Sequence, residues 1–444
     1  MPTTPLDNEQ VLRLKQDFPL LTESQVAGHP LVYLDTGATS QVPLAVADAE
    51  RDFTLHHRAA VHRGAHTLAV EATDLFEDAR ATIAHFVGAD PYSLVWTSNA
   101  TEGLNLLSYA MSNATAGSNG SENAERFRVG PDDEIVTTQA EHHANLIPWQ
   151  ELAARTGASL RVVPVDARGL ITPQAVADTV SERTKLVAFT HVSNVTGAIT
   201  DVQAIVGEAQ KIGALTVLDA CQSVPHMPID FPALGVDFAV FSAHKMLGPT
   251  GIGALYGRHE LLNALPTFLT GGSMITEVTT EHARYLDSPV RFDAGTQRIS
   301  QAVAWAEAVR YLQAIGMGRI EAWEAELGRQ LARGVTEIDG VRLLGPEPGM
   351  ERVGLVSIDV AGVHAHDVGQ LLDAAGIAVR VGHHCAQPLH RELGLTASTR
   401  ASTYLYNTTD DVDRFLDELG PYPRILDTGC DYAAVGSVAV LPVS

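Results

Sequence analysis

Three cysteines in 444 residues, at positions 221, 385 and 430, are too few and too scattered for a disulfide framework. They include no CxxC pair, and the adjacent pairs His142–His143 and His383–His384 need not point at one centre, so no metal site is expected. No run of eighteen uncharged apolar residues occurs, which excludes an ordinary membrane-spanning helix. The start, MPTTPLDNEQ, lacks the basic, apolar and small-residue succession of a secretory leader. Positive charge is scarce: 30 Lys and Arg stand against 53 Asp and Glu, a formal net charge of −23 that opposes contact with nucleic acid or anionic lipid. At 6 %, aromatic residues offer no base-stacking platform. A reducing, cytoplasmic setting follows as the expectation, with no nucleic-acid or membrane partner.

What is present is apolar and alternating. Hydrophobic residues make up 45 % of a chain long enough for two or three domains. Residues 7–18 are amphipathic up to Pro19, and 67–86 read as a helix with Val70, Leu75, Phe76 and Ile83 buried. SLVWTSNATEGLNLLSYA, EIVTTQAEHHAN, SLRVVPVDARG, KLVAFTHVSNVTGAI, ALTVLDACQSV and VDFAVFSAHK each place an apolar strand before a polar turn. With helical patterns between them, they predict an α/β domain around a mainly parallel sheet. Residues 112–127 are small and polar and read as an exposed loop. Residues 300–333 read as helical with a break at Gly316 and Gly318, and GLVSIDV, AGIAVRV and ASTYLYN as an α+β lobe to which the N-terminal helix returns.

The strand ends carry chemistry. Lys245 lies between VDFAVFSAH and the glycine-rich GPTGIG. A lone lysine is by default a solvated surface group. This context instead exposes an amine able to condense with a carbonyl and to carry a proton. Asp219 ends the preceding strand, where a carboxylate pairs with a protonated ring nitrogen; a plain strand-end cap is its bland alternative. Gln222 and Asn194 would constrain one edge of the same ring. In SNATEGLNLL the helix start at Ala100 and Thr101 offers free amides to an anion, approached also by Ser242 and His244. His142 or His143 would lie flat on a planar cofactor. Arg400 presents a rigid fork to a carboxylate, ahead of an apolar YLY strand, while Arg380 lines the cleft or orients the nearby loop. In that loop, RVGHHCAQP, Cys385 is a thiol on a mobile element. Cys221 reads as buried packing and Cys430 as peripheral.

VHRGAHTL, EHHANLIPWQ, THVSNVTGAI, LDACQSV, FSAHKMLGPTGIG and GHHCAQP together resemble the SUF-type (SufS-like, group II) cysteine desulfurases of the class V aminotransferase family, within the fold-type I pyridoxal phosphate enzymes. The resemblance runs from LVYLDTGATS to VDRFLDELG. It implies a seven-stranded, mostly parallel central sheet with a smaller α+β domain. The large domain would span 28–299, the small one 1–27 and 300–422, and 423–444 would be an extension beyond the usual family end. It implies a homodimer, with L-cysteine as substrate and a SufU-like or SufE-like acceptor.

Carried over residue by residue, the resemblance makes Lys245 the cofactor-bearing lysine, Asp219 the pyridine-nitrogen partner, and His142 rather than His143 the stacking ring. Gln222 matches the phenolic-oxygen position. Thr101, Ser242 and His244 match phosphate contacts, Thr296 in FDAGT a phosphate contact from across the dimer, and Arg400 the substrate-carboxylate clamp. Asn194 and Arg380 match further cleft positions, and Cys385 the sulfur acceptor. The implied reaction releases L-alanine, leaves a Cys385 persulfide and feeds iron–sulfur cluster assembly. The alternatives are a selenocysteine lyase, an aminotransferase and a catalytically silent sulfur-delivery scaffold. SNATEG, Val381 and residues 112–127 depart from the usual family pattern.

Overall fold

The computed structural model describes residues 4–118 and 124–421. Helix α1, Asn8–Lys15, opens the chain under a capping box in which Asp7 and Gln10 exchange hydrogen bonds. Two later helices follow, α2, Thr67–Phe86, and α3, Ala100–Ala116. Pro19 does not merely stop the first helix; it begins a short second one, Pro19–Glu23. In α2, Phe76 and Ile83 are buried as the periodicity predicts and Leu75 is partly so. Val70 is instead 51 % exposed, because the buried stripe runs through Ala69, Ala72, Phe76 and Ala79.

The central sheet has seven strands: β1, Leu94–Thr97; β2, Glu134–Thr138; β3, Ser159–Val163; β4, Thr184–Thr190; β5, Leu215–Asp219; β6, Phe238–Ser242; and β7, Gly253–Gly257. Their order is β1-β7-β6-β5-β4-β2-β3, with β7 antiparallel to both neighbours and the block from β6 to β3 parallel. The apolar runs of the inner strands are buried on both faces, as parallel strands require. Alternation divides them: Val187, Phe189, Leu218 and Phe241 join one apolar cluster, and Leu186, Ala188, Val217 and Val240 the other.

Helices α4, Ile299–Ile315, and α5, Met317–Thr336, meet at Gly316, whose φ of 98° breaks the helix; Gly318 is simply helical. A second sheet follows, from β8, Val341–Leu344; β9, Leu355–Val360; β10, Arg380–Gly382; and β11, Ser398–Ser402. It is antiparallel in the order β8-β9-β11-β10. The N-terminal helix does return to this region: Asn8 and Thr409 exchange two hydrogen bonds and Lys15 stands 3.2 Å from Asp411. Leu6 and Val11 share its apolar cluster with Trp323, Leu327 and Ile358.

Two expectations fail. The strand near position 400 is Ser398–Ser402, carrying Arg400 in its centre, and Tyr404, Leu405 and Tyr406 lie beyond it in a turn. Their apolarity reflects complete burial, not strand pairing. Residues 112–116 continue α3 to a left-handed cap at Gly117, and 125–127 form a helical turn that buries Phe127. Ala114 packs there against the sheet, while 115–118 are exposed as the polarity predicts. The rest of the expected insertion, 119–123, lies outside the described residues, as do Cys430 and the extension from 423.

Candidate active site

Because β2, β4, β5 and β6 run parallel, their C-terminal ends open on one rim, the usual crevice of an α/β sheet. A cavity of about 520 Å³ lies there. Each strand end supplies part of its wall: His142 after β2, Asn194 after β4, Asp219 and Gln222 at β5, and Ser242, His244 and Lys245 at β6. The start of α3 adds Thr101, while Arg380, Cys385 and Arg400 come from the second sheet and its following loop. Of the predicted residues only Thr296 lies elsewhere, exposed on a separate cavity with Phe53 and Arg58.

The start of α3 is built for an anion. Asn99 caps Glu102, and the Ala100 amide donates to Ser242 Oγ over 2.9 Å, which joins helix to strand. The Thr101 amide has no acceptor among the described residues. Gly253 makes the approach possible, since a β-carbon there would sit 2.7 Å from Asn99 Cα. His244 reaches Thr39 Oγ1 at 3.2 Å, and its pKa is pushed down to about 4, first by burial and then by Lys245.

Lys245, Asp219 and His142 act on one another. Burial holds the His142 ring near a pKa of about 4; the Lys245 charge pushes the same way and Asp219 opposes it. Asp219 accepts from the Cys221 amide through Oδ1 at 3.0 Å and also meets the Cys221 thiol. The Lys245 amine makes no hydrogen bond or ion pair among the described residues and lies close enough to lower the His142 and His244 pKa values. Gln222 donates to the Gly37 carbonyl over 2.7 Å and leaves Oε1 buried and unpartnered. An amine without a hydrogen-bond partner, a cavity-lining carboxylate and a free helix-start amide in one cavity match the carbonyl, ring nitrogen and phosphate of pyridoxal phosphate. The residues therefore fit that group. Gln222 fits less simply, because the donor expected for the phenolic oxygen is engaged by Gly37.

Arg400 is 3 % exposed; it donates to the Asn194 carbonyl at 2.9 Å and faces Asp35 at 3.3 Å. Arg380, its register partner across β10 and β11, reaches the same carboxylate at 3.6 Å. Asn194 lines the cavity, and its side-chain amide donates to the His384 carbonyl at 2.7 Å. His143 is a loop contact too, its amide donating to the Cys385 carbonyl at 2.6 Å and its Nε2 accepting from Gln387. Cys385 is partly exposed, whereas Cys221 is buried and its thiol pushed well up by burial.

The family model for class-V aminotransferases matches residues 32–415. A probable cysteine desulfurase 2 from Mycobacterium leprae is 54 % identical over 413 residues, covering 93 % of this chain and 96 % of that protein. The chain belongs to the cysteine desulfurase family. Two solved structures agree in shape. The apo cysteine desulfurase from Thermococcus onnurineus has a TM-score of 0.86 at 36 % identity, covering 96 % of this chain and all of that one. The cysteine desulfurase CsdA from Escherichia coli, in an S-sulfonic acid form, has a TM-score of 0.82 at 34 % identity, covering 94 % and 98 %.

Sequence reasoning missed two groups in this desulfurase. Asp35, within LVYLDTGATS, is the partner of both arginines. Glu141, beside the singled-out His142, is fully buried and accepts from Thr138, Asn145 and the Thr190 amide; burial pushes its pKa up to about 8. A charged residue immediately before EHHAN's histidines was the available signal. Among the described residues no helix is long and apolar enough to cross a membrane, and no group of three His, Cys, Asp or Glu is placed to hold a metal.

Proposed function

We propose that this cleft converts L-cysteine and the Cys385 thiol into L-alanine and a Cys385 persulfide, the sulfur then passing to an acceptor protein. One observation carries the reading: a cysteine on a small-sheet loop and an unpartnered lysine at a strand end line the same cavity. Lys245 would hold pyridoxal phosphate by its amine and Asp219 by its ring nitrogen, with His142 on its face and Thr101, Ser242 and His244 at its phosphate. When bound, that group supplies an electron sink for charge developing at the substrate α-carbon.

Arg400 binds the substrate carboxylate and so fixes which bond faces Lys245. The Lys245 amine takes the α-proton and later returns it. The Cys385 thiolate attacks the substrate sulfur; a sulfur–sulfur bond forms as the carbon–sulfur bond breaks. Its electron pair stays with the carbon fragment, which gains a proton and leaves as L-alanine. Sulfur is thereby oxidised and carbon reduced, with no outside reductant.

The finer reading is a SufS-like enzyme of the SUF system, cytoplasmic and homodimeric. The wording GHHCAQP and YLYNT supports it, and favours a SufU-like over a SufE-like acceptor. Thr296 supports the dimer: it lies outside the cleft of its own chain, so the phosphate contact that the resemblance assigns to it would have to be made in a second copy. The two-lobe division at 28–299 and 300–422, with 1–27 joined to the latter, is supported by the separate apolar cluster around the second sheet, although Phe18 and Leu21 pack with the large core. The test is an alanine-release assay on the holoenzyme with L-cysteine and with selenocysteine, paired with mass mapping of Cys385. Alanine from L-cysteine with one added sulfur on Cys385 is expected; strong selenium preference without persulfide would overturn it.

A further inference from the structure

Cys385 sits in an unusual backbone. His384 and Cys385 have φ of 49° and 55°, a left-handed pair that residues with a β-carbon rarely adopt, so neighbouring bonds must hold it. On one side, Asn194 and His143 grip the carbonyls of His384 and Cys385. On the other, two imidazoles converge on one hydroxyl: His384 Nε2 and His390 Nε2 each lie 2.9 Å from Ser398 Oγ, and His390 Nδ1 lies 3.0 Å from the Ala386 carbonyl.

The directions of these bonds follow from valence. A carbonyl only accepts, so His390 Nδ1 carries the proton. Burial lowers the pKa of His390 against the opposing Ala386 hydrogen bond, with His383 adding to the burial effect, and burial with Arg400 and His390 lowers that of His384; both favour the neutral rings that the bonding pattern accommodates. His390 Nε2 is then a lone pair, which the Ser398 hydroxyl must fill. Having given its only proton to His390, Ser398 accepts from His384 Nε2–H. His384 is left with a bare Nδ1, and that atom is buried without a partner. One chain, His384 to Ser398 to His390 to the Ala386 carbonyl, thus ties the residues on both sides of Cys385 to strand β11.

We propose that Ser398 and His390 are positioning residues for the thiol of Cys385, with the Ser398 hydroxyl setting the direction of the chain that holds its loop against the cleft. This rests on the functional reading above and adds two side chains that touch neither substrate nor cofactor. Serine and histidine are required as a pair. Removing the hydroxyl leaves one donor and one acceptor buried with no partner, and the loop loses its hold on the second sheet.

The experiment uses the holoenzyme as wild type, Ser398→Ala, His390→Leu and Ser398→Thr. Rapid mixing with L-cysteine is followed by the absorbance of the bound cofactor, which reports substrate docking, and by acid quench and mass spectrometry, which reports persulfide on Cys385. In Ser398→Ala and His390→Leu, persulfide formation is expected to slow at least tenfold while the absorbance change stays within twofold. Ser398→Thr, which keeps the hydroxyl, is expected to stay within threefold in both. Should Ser398→Ala fail to hold cofactor, His390→Leu carries the same expectation with the strand residue intact. Persulfide formation within twofold of wild type in the first two variants would overturn the proposal. So would equal slowing of both signals, or a folded Ser398→Thr as slow as the alanine variant. Wild type forming no persulfide would instead sink the functional reading, and this proposal with it.

Discussion

The carboxylate of Asp35 lies 3.3 Å from the buried guanidinium of Arg400. Burial raises the pKa of Asp35, against the pull of Arg400 and Arg380. A substrate carboxylate entering here must share Arg400 with a charge of its own sign. Asp35→Asn is therefore expected to lower KM for L-cysteine severalfold while lowering the thermal midpoint, since it leaves a buried cation less well compensated. Arg400→Lys, which loses the fork, is expected to raise KM by roughly tenfold or more with a smaller change in kcat. Steady-state kinetics and thermal unfolding check both.

Cys385→Ser and Lys245→Ala divide the reaction at different points. With Cys385→Ser the bound cofactor is expected to respond to L-cysteine by absorbance, with persulfide and multiple-turnover alanine release lost. With Lys245→Ala alanine release is expected to vanish, and a borohydride-treated protein to lack the cofactor mass found on residue 245 of wild type. Turnover at the wild-type rate in either variant would contradict its assigned role.

The two described cysteines are expected to differ sharply toward iodoacetamide. Cys385 is partly exposed, whereas Cys221 is buried with its thiol pushed well up, first by burial and then by Asp219. Alkylation of Cys385 is expected to be roughly tenfold or more faster, because the reagent can reach it and burial suppresses the Cys221 thiolate. Peptide mass mapping over time decides the matter; equal labelling in the folded protein would refute the arrangement.

Glu141 makes stability depend on pH in a set direction. Its folded pKa is raised to about 8, so between the ordinary carboxylate range and pH 8 the folded state binds more protons than the unfolded one. Its contribution therefore falls as pH rises through that window. Glu141→Gln cannot ionise, and its amide meets the Asn145 amide, whose orientation is pinned by the Trp149 indole donating to Asn145 Oδ1 at 3.0 Å. The variant is expected to be less stable by about 1–3 kcal/mol near pH 5. That deficit should narrow toward pH 8.5, as denaturant unfolding at the two pH values would measure.

Much of this was legible along the chain because it depends on short-range pattern. Apolar strands ending in Asp219 and Lys245 were readable since burial on both faces demands continuous apolar runs, and polar residues mark where the strand leaves the core. The same logic misled at Tyr404–Leu405–Tyr406, where the run is buried but unpaired, and at 112–116, which are helical and not loop, with Ala114 packed onto the sheet. Asn194 and His143 stand in the loops that the strand pattern indicates, but their bonds to the carbonyls of His384 and Cys385 were not legible there. Loop position follows from the strands, but side-chain partners follow from how the loops meet.

By itself, then, the sequence determined the strand and helix succession, the reacting groups at the strand ends and the thiol in its glycine-bounded loop, because each is written in residues near one another. Only the tertiary structure decided that Asp35 would face Arg400, 365 positions away, or that Ser398 would join His384 to His390. Those partnerships arise from the register and packing of separate elements, and a buried charge or imidazole takes its pairing from whatever donor or acceptor that packing brings within reach.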